Sequence, residues 1–161
     1  MDYYVDRRNQ IRSILISAIE CFNQKEKYLI ENDLSERCIC AKFSFYLTEA
    51  IKGTNYSDYI VYVEYNRGHN GREYGPKKMN EAPITVDLIV HKRGYNCIHG
   101  LQNLICIEMK KSTNRQGCAN DENRLNKMTD WDYSFCYEVG YMILINMKEK
   151  RLEIKEEFPK L

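Results

Sequence analysis

Two carboxylates and a lysine stand where a folding chain would place apolar residues. Asp87 interrupts Ile84-Thr85-Val86-Asp87-Leu88-Ile89-Val90, and Glu108 closes Leu104-Ile105-Cys106-Ile107, with Met109 and Lys110 following. Both runs are apolar and rich in β-branched residues, hence strands. An ionised carboxylate on a central strand is costly to bury unless it is paired or metal-bound. Strand side chains alternate, so Glu108 and Lys110 share one face and Met109 takes the other. If the two strands are neighbours, Asp87 meets Glu108 across the ladder, and two carboxylates and an ammonium converge at a strand end. That group suits hydrolysis of a phosphodiester. A hard cation held by carboxylate oxygens activates water and neutralises charge growing on the phosphate. Lys110 could orient or deprotonate the water, or stabilise the phosphate. The plainer reading of Asp87 is a buried salt bridge with Lys110 and no metal, a costly core feature.

The elements that must position these residues follow from periodicity. Residues 6–22 place Ile11, Ile14, Leu15, Ala18, Ile19 and Phe22 on one stripe of an amphipathic helix. A second helix is predicted over 34–51, with Ile39, Phe43, Leu47 and Ala50 as its apolar face. Asp33 and Glu36 would form its capping box and Gly53 its stop. Residues 59–65 read as a strand, and 66–81 as a loop or long hairpin connection. Strands at 84–91 and 103–109 are joined by a short link that favours an antiparallel pair. A weaker helix at 116–130, a strand at 141–147 and an alternating edge strand at 151–158 complete the order. The expectation is one α/β domain, a mixed sheet flanked by helices, with an extra N-terminal helix.

Composition bounds the rest. The 161 residues are 43% hydrophobic and 29% charged, as in a soluble globular protein, and the net charge is only +1. No global basic field is present, so nucleic-acid binding must come from a local patch. Residues 64–116 supply one: nine Lys or Arg against five acids, 9 − 5 = +4, beside the proposed site. Residues 1–8 are polar and form no secretory signal, and no apolar run nears the roughly 20 residues of a membrane span. A cytoplasmic protein without a membrane partner is expected. Seven cysteines at irregular spacing fit reduced, buried thiols rather than a disulfide framework or a zinc site.

An acid on one strand and Glu-x-Lys on the next, about twenty residues on, resembles the PD-(D/E)XK nuclease superfamily, whose restriction-endonuclease-like core runs helix, three strands, helix, strand. Further local similarity to its bacterial and phage members lies in Ser35-Glu36-Arg37, Glu64-Tyr65-Asn66-Arg67, Val90-His91-Lys92-Arg93-Gly94 and Ile107-Glu108-Met109-Lys110-Lys111-Ser112. The likeness covers roughly residues 26–147. One departure stands out: Val86 replaces the proline that usually precedes the first acid, the nearest proline being Pro83. The resemblance implies a Mg2+- or Mn2+-dependent nuclease, on DNA before RNA. It implies Asp87, Glu108, Lys110 and Glu36 as the catalytic set, with Asp87, Glu108 and Met109 at the metal. Arg67, Lys92, Arg93, Lys111, Arg124 and Lys127 would meet nucleic acid. Glu36 could equally serve only its helix cap.

A second possibility is a nuclease-fold binding or assembly module, of a defence or mobile-element complex, whose acids are structural. A zinc-binding module is a weaker third. His91 alternates with Asp87 and Ile89 and could approach the site, though a lone histidine at a strand end is more often structural. Tyr133 and Tyr137 could stack on bases, but nothing singles them out. A homodimer is a reasonable expectation, with helix 6–22 as its interface, unless that helix packs on its own domain. Glu153-Ile154-Lys155 repeats the Glu-x-Lys spacing on an edge strand with no acidic strand before it.

Overall fold

A computed structural model of the chain describes residues 2–70, 73–76, 78–79, 82–92, 102–114, 116–132 and 135–159. Four helices, α1 (Asp2–Lys25), α2 (Lys27–Glu31), α3 (Glu36–Ile51) and α4 (Cys118–Thr129), pack around a five-stranded mixed sheet. The strands are β1 (Ile60–Val63), β6 (Leu88–His91), β7 (Asn103–Lys111), β8 (Val139–Asn146) and β9 (Arg151–Phe158), in that spatial order. Two small antiparallel pairs lie between β1 and β6 in sequence. They are β2 (Arg67–Asn70) with β3 (Glu73–Pro76), and β4 (Lys78–Met79) with β5 (Ala82–Pro83). β6 and β7 pair antiparallel, as their short link requires. β7 and β8 pair parallel, and α4 supplies the crossover such a pair needs.

Alternation along β7 divides the sheet's two faces. Ile105, Ile107 and Met109 join α1 and α3 in the larger core, with Phe22, Phe43 and Leu47 among its fully buried members. Cys106 faces the other way, into a smaller core with Leu125 and Met128 of α4. The stripe of α1 is spent on its own domain, because Ile11, Leu15, Ala18 and Phe22 are fully buried there. Arg8 and Arg12 tie the same helix to Glu157 of β9. That stripe is therefore not available as a dimer interface. No described helix is long and apolar enough to cross a membrane.

Two boundaries differ from expectation for local reasons. Helix α3 is capped by Ser35, whose Oγ accepts the Cys38 N–H at 3.2 Å. Asp33 has φ +53 and its carboxylate goes to Lys111, so the Asp33–Glu36 capping box does not form. At the other end Gly53, at φ +76, does stop the helix. The strand expected over 84–91 is laddered only from Leu88. Glu64 turns out of β1 at φ +50 after a last bond from its N–H to the Asp87 carbonyl at 3.0 Å, leaving residues 84–86 beyond the end of that strand. The cysteines are less uniformly buried than expected: among those described, Cys40 and Cys106 are buried, Cys38 is exposed and the others are intermediate, all as free thiols. Cys97 lies outside the described residues.

Candidate active site

The site forms where β6 ends and β7 continues. The last β6–β7 pair is Leu88 with Ile107, which puts Asp87 opposite Glu108, one residue beyond the ladder. From there β7 has no antiparallel neighbour on its β6 side. Alternate N–H groups point to that side, and each needs an acceptor. The Met109 N–H donates to Asp87 Oδ2 at 2.7 Å, and the Lys111 N–H donates to Glu36 Oε1 at 2.9 Å. Glu36 is the first residue of α3, so this bond pins the helix start to the strand end. Two of the four nominated catalytic acids and bases thus replace a missing strand.

Glu108, at 5% exposure, projects from the α4 face and lies beside Asp87, close enough for the two carboxyls to repel when both are ionised. Burial pushes its carboxyl up to about 9, and the negative charge of Asp87 adds to the rise. Burial likewise raises Asp87, against the Met109 N–H that favours its ionised form. Arg124 of α4 reaches Glu108, its Nε 2.7 Å from Oε1. The approach is too bent for a hydrogen bond, leaving a Coulombic contact and a buried Oε1 with unfilled acceptor capacity. The same guanidinium pairs with Asp121 Oδ1 at 2.5 Å and donates to the Thr85 carbonyl at 3.2 Å.

Asp121 is the residue the sequence reading missed. It is 6% exposed and bridges two cations, because its Oδ2 also forms an ion pair with Lys110 Nζ at 3.2 Å. Burial pulls the Lys110 ammonium down, but Asp121 and Glu36 outweigh it and its pKa ends above the ordinary lysine value. Lys110 therefore remains a cation at neutral pH. The loop into α4 makes room for it. Gly117, at φ +79, begins the helix, and a side chain there would start 3.7 Å from Lys110 Nζ.

The remaining nominated residues divide. Met109 turns its thioether into the larger core, so only its backbone faces the site. Lys111 packs back on the α2–α3 turn through Asp33 Oδ1 at 2.7 Å. Arg124 points into the acidic cluster rather than outward. Lys127 lies one turn further along α4, half-buried. Lys92 sits five residues from Asp87 along β6, about 16 Å at strand rise, where it pairs with Asp58 and lies over the Tyr59 ring. Arg93 lies outside the described residues, and of Arg67 only the backbone, in β2, is described. His91 is buried and edge-on to Tyr62 and Tyr65, at 5.1 and 4.9 Å between ring centroids, a packed position distinct from the acidic cluster. Tyr137 is 1% exposed and cannot stack on a base, and Tyr133 lies outside the described residues. Glu153 and Lys155 lie on the edge strand, bonded to Asn146 and Arg151 and to Glu122.

Among the described residues no cluster of three or more His, Cys, Asp or Glu is arranged to hold a metal. Asp87 and Glu108 stand opposite each other at the site as a pair of carboxylates. Comparison of the chain with family models, curated proteins and solved structures finds no match.

Proposed function

We propose that this chain is a divalent-metal-dependent nuclease, with a restriction-endonuclease-like form of the α/β fold, hydrolysing phosphodiester bonds of DNA before RNA. The observation that carries the reading is the placement of the half-buried Asp87 carboxylate opposite the buried Glu108, one residue beyond the β6–β7 ladder, with Lys110 on the same face as Glu108. Two acids pressed together against burial and repulsion mark a place short of positive charge. The formal count agrees. With every acid ionised, as a bound cation would hold them, Asp87, Glu108, Asp121 and Glu36 against Lys110 and Arg124 give 2 − 4 = −2, which one divalent cation would balance.

The residues fit Mg2+ or Mn2+. Both donors are carboxylate oxygens, magnesium is commonly held by one or two of them plus water, and Glu108 Oε1 has acceptor capacity to spare. Asp87 and Glu108 would be the ligands, with only the backbone of Met109 able to assist. Bound there, the ion would supply an activated water and neutralise charge on the phosphate. Lys110, held as an ammonium by Asp121, serves the phosphate rather than taking the proton of the water. Glu36 keeps α3 against the end of β7 and sets the position of Lys110 indirectly.

The test is cleavage of plasmid, linear, single-stranded DNA and RNA substrates in manganese by wild type, Glu108→Gln and Asp87→Asn. Cleavage by wild type alone supports the assignment and names the substrate class. Equal cleavage by all three removes these acids from the chemistry. A second reading, the binding or assembly module, is favoured by the structural employment of the acids: Asp87 and Glu36 satisfy β7 and Glu108 faces Arg124. On that reading none of the three proteins cleaves, and magnesium leaves the melting temperature unchanged.

A further inference from the structure

The position of Arg124 carries a consequence for how the site loads. Its guanidinium lies between Glu108 and Asp121, at 2.7 and 2.5 Å, in a cluster where Lys110 is the other cation among the described residues. Its third contact is a single carbonyl, that of Thr85. The side chain is 26% exposed while those of Glu108 and Asp121 are 6% and 9%. Arg124 thus reaches a buried acid from the more exposed side of the cluster. Its grip on Glu108 is the bent contact, whereas Asp121 holds it with proper hydrogen-bond geometry.

We propose that Arg124 is a gating residue that occupies Glu108 in place of a divalent cation and turns to the substrate phosphate when the metal arrives. This rests on the nuclease reading. The unequal contacts define the motion. The link to Asp121 is the pivot, the link to Glu108 breaks, and the guanidinium is released toward solvent beside Lys110. Guanidinium is well suited to both states, because its planar fork matches carboxylate and phosphate alike. Arg124 and the metal compete for one carboxylate, so an empty site stays closed over its acids. Metal and nucleic acid then favour each other's binding, since each needs Arg124 away from Glu108.

Metal affinity tests this without reference to turnover. Calorimetric titration of Mn2+ into wild type, Arg124→Met and Arg124→Ala should show both variants binding about tenfold tighter or more, a typical size for coupled sites. Arg124→Met keeps the apolar stem, so a variant that folds is to hand if the alanine disrupts α4. Millimolar guanidinium added to Arg124→Ala should weaken Mn2+ binding back toward wild type, whereas equal sodium should not. A general loosening of the fold would not show that rescue. Mn2+ binding in the variants equal to or weaker than wild type, lost in Asp87→Asn, overturns the gate and leaves the metal site standing. No Mn2+ binding by any of the proteins overturns both.

Discussion

Stripped of metal, the chain should lose stability as pH rises through neutrality, with Glu108 as the main cause. Its carboxyl ionises near 4.5 in the unfolded chain and only at about 9 when buried beside Asp87. Between those values the folded state binds the extra proton. The contribution is therefore complete below about pH 4.5 and is lost as pH rises through about 9. Raised Asp87 acts in the same direction. From pH 5 to pH 8, three pH units at about 1.4 kcal/mol each give on the order of 4 kcal/mol. Relaxation of the site on ionising makes that an upper limit, equivalent to roughly 8–16 °C in a domain of this length. The acids held below their ordinary range, Asp33, Asp58 and Glu153, destabilise on the acid side and would mask the trend in wild type alone. The difference from Glu108→Gln isolates it. Glutamine keeps the size and neutral charge of the protonated acid beside Asp87, but has no proton to lose. In chelator at pH 8 the variant should melt roughly 5 °C or more above wild type, and the gap should close by pH 5. A variant that melts below wild type at pH 8, with a gap indifferent to pH, would mean that Glu108 is ionised and stabilised by Arg124. The reasoning would then fail.

Removing the bridge between the two cations, Asp121→Ala, should cost about 3 kcal/mol, because Lys110 and Arg124 lose a buried carboxylate; urea denaturation measures it. Gly140→Ala should destabilise by about 1–3 kcal/mol through overpacking. Its new methyl would lie 3.1 Å from Thr129 Cγ2 and 3.2 Å from Cys106 Sγ, where α4 meets the sheet; thermal melting compared with a surface Gly75→Ala control reads the effect. Ser35→Ala should cost about 1 kcal/mol as the lost cap of α3, whereas Asp33→Ala should leave the helix content by circular dichroism unchanged.

The fold was legible wherever a single period dominated. The stripe on α1, the face of α3 through Ile39, Phe43 and Leu47, and the alternation that separates Glu108 and Lys110 from Met109 all appear as read. The antiparallel β6–β7 pair followed from its short link, and β9 spans the residues assigned to it. What failed was local competition between equivalent signals. Asp33 and Ser35 are both good cap residues two positions apart, and only backbone conformation separates them: Ser35 at φ −59, Asp33 in the left-handed region. The strand before Leu88 looked continuous because Ile84 and Val86 alternate. Its ladder depends on β1, which Glu64 ends from elsewhere in the chain.

The candidate site shows why a motif read along strands is incomplete. Asp87, Glu108 and Lys110 were visible because charge on an apolar strand is conspicuous. Asp121 is equally buried, yet on a helix of mean polar character an acid attracts no notice. Its signal was positional: Asp121, Leu125 and Met128 follow at i, i+4 and i+7, so the acid stands on the buried stripe of α4. Arg124 was taken for an outward residue on the same ground, whereas at i+3 from Asp121 it is drawn inward. A sheet that ends early leaves β7 with unpaired donors, and acids satisfy them. The same acids, crowded and partly buried, then require cations, which α4 delivers through Arg124 and, by way of Asp121, Lys110. The scaffold needs acids to finish its central strand, and the same acids set the positions of the two cations that balance them.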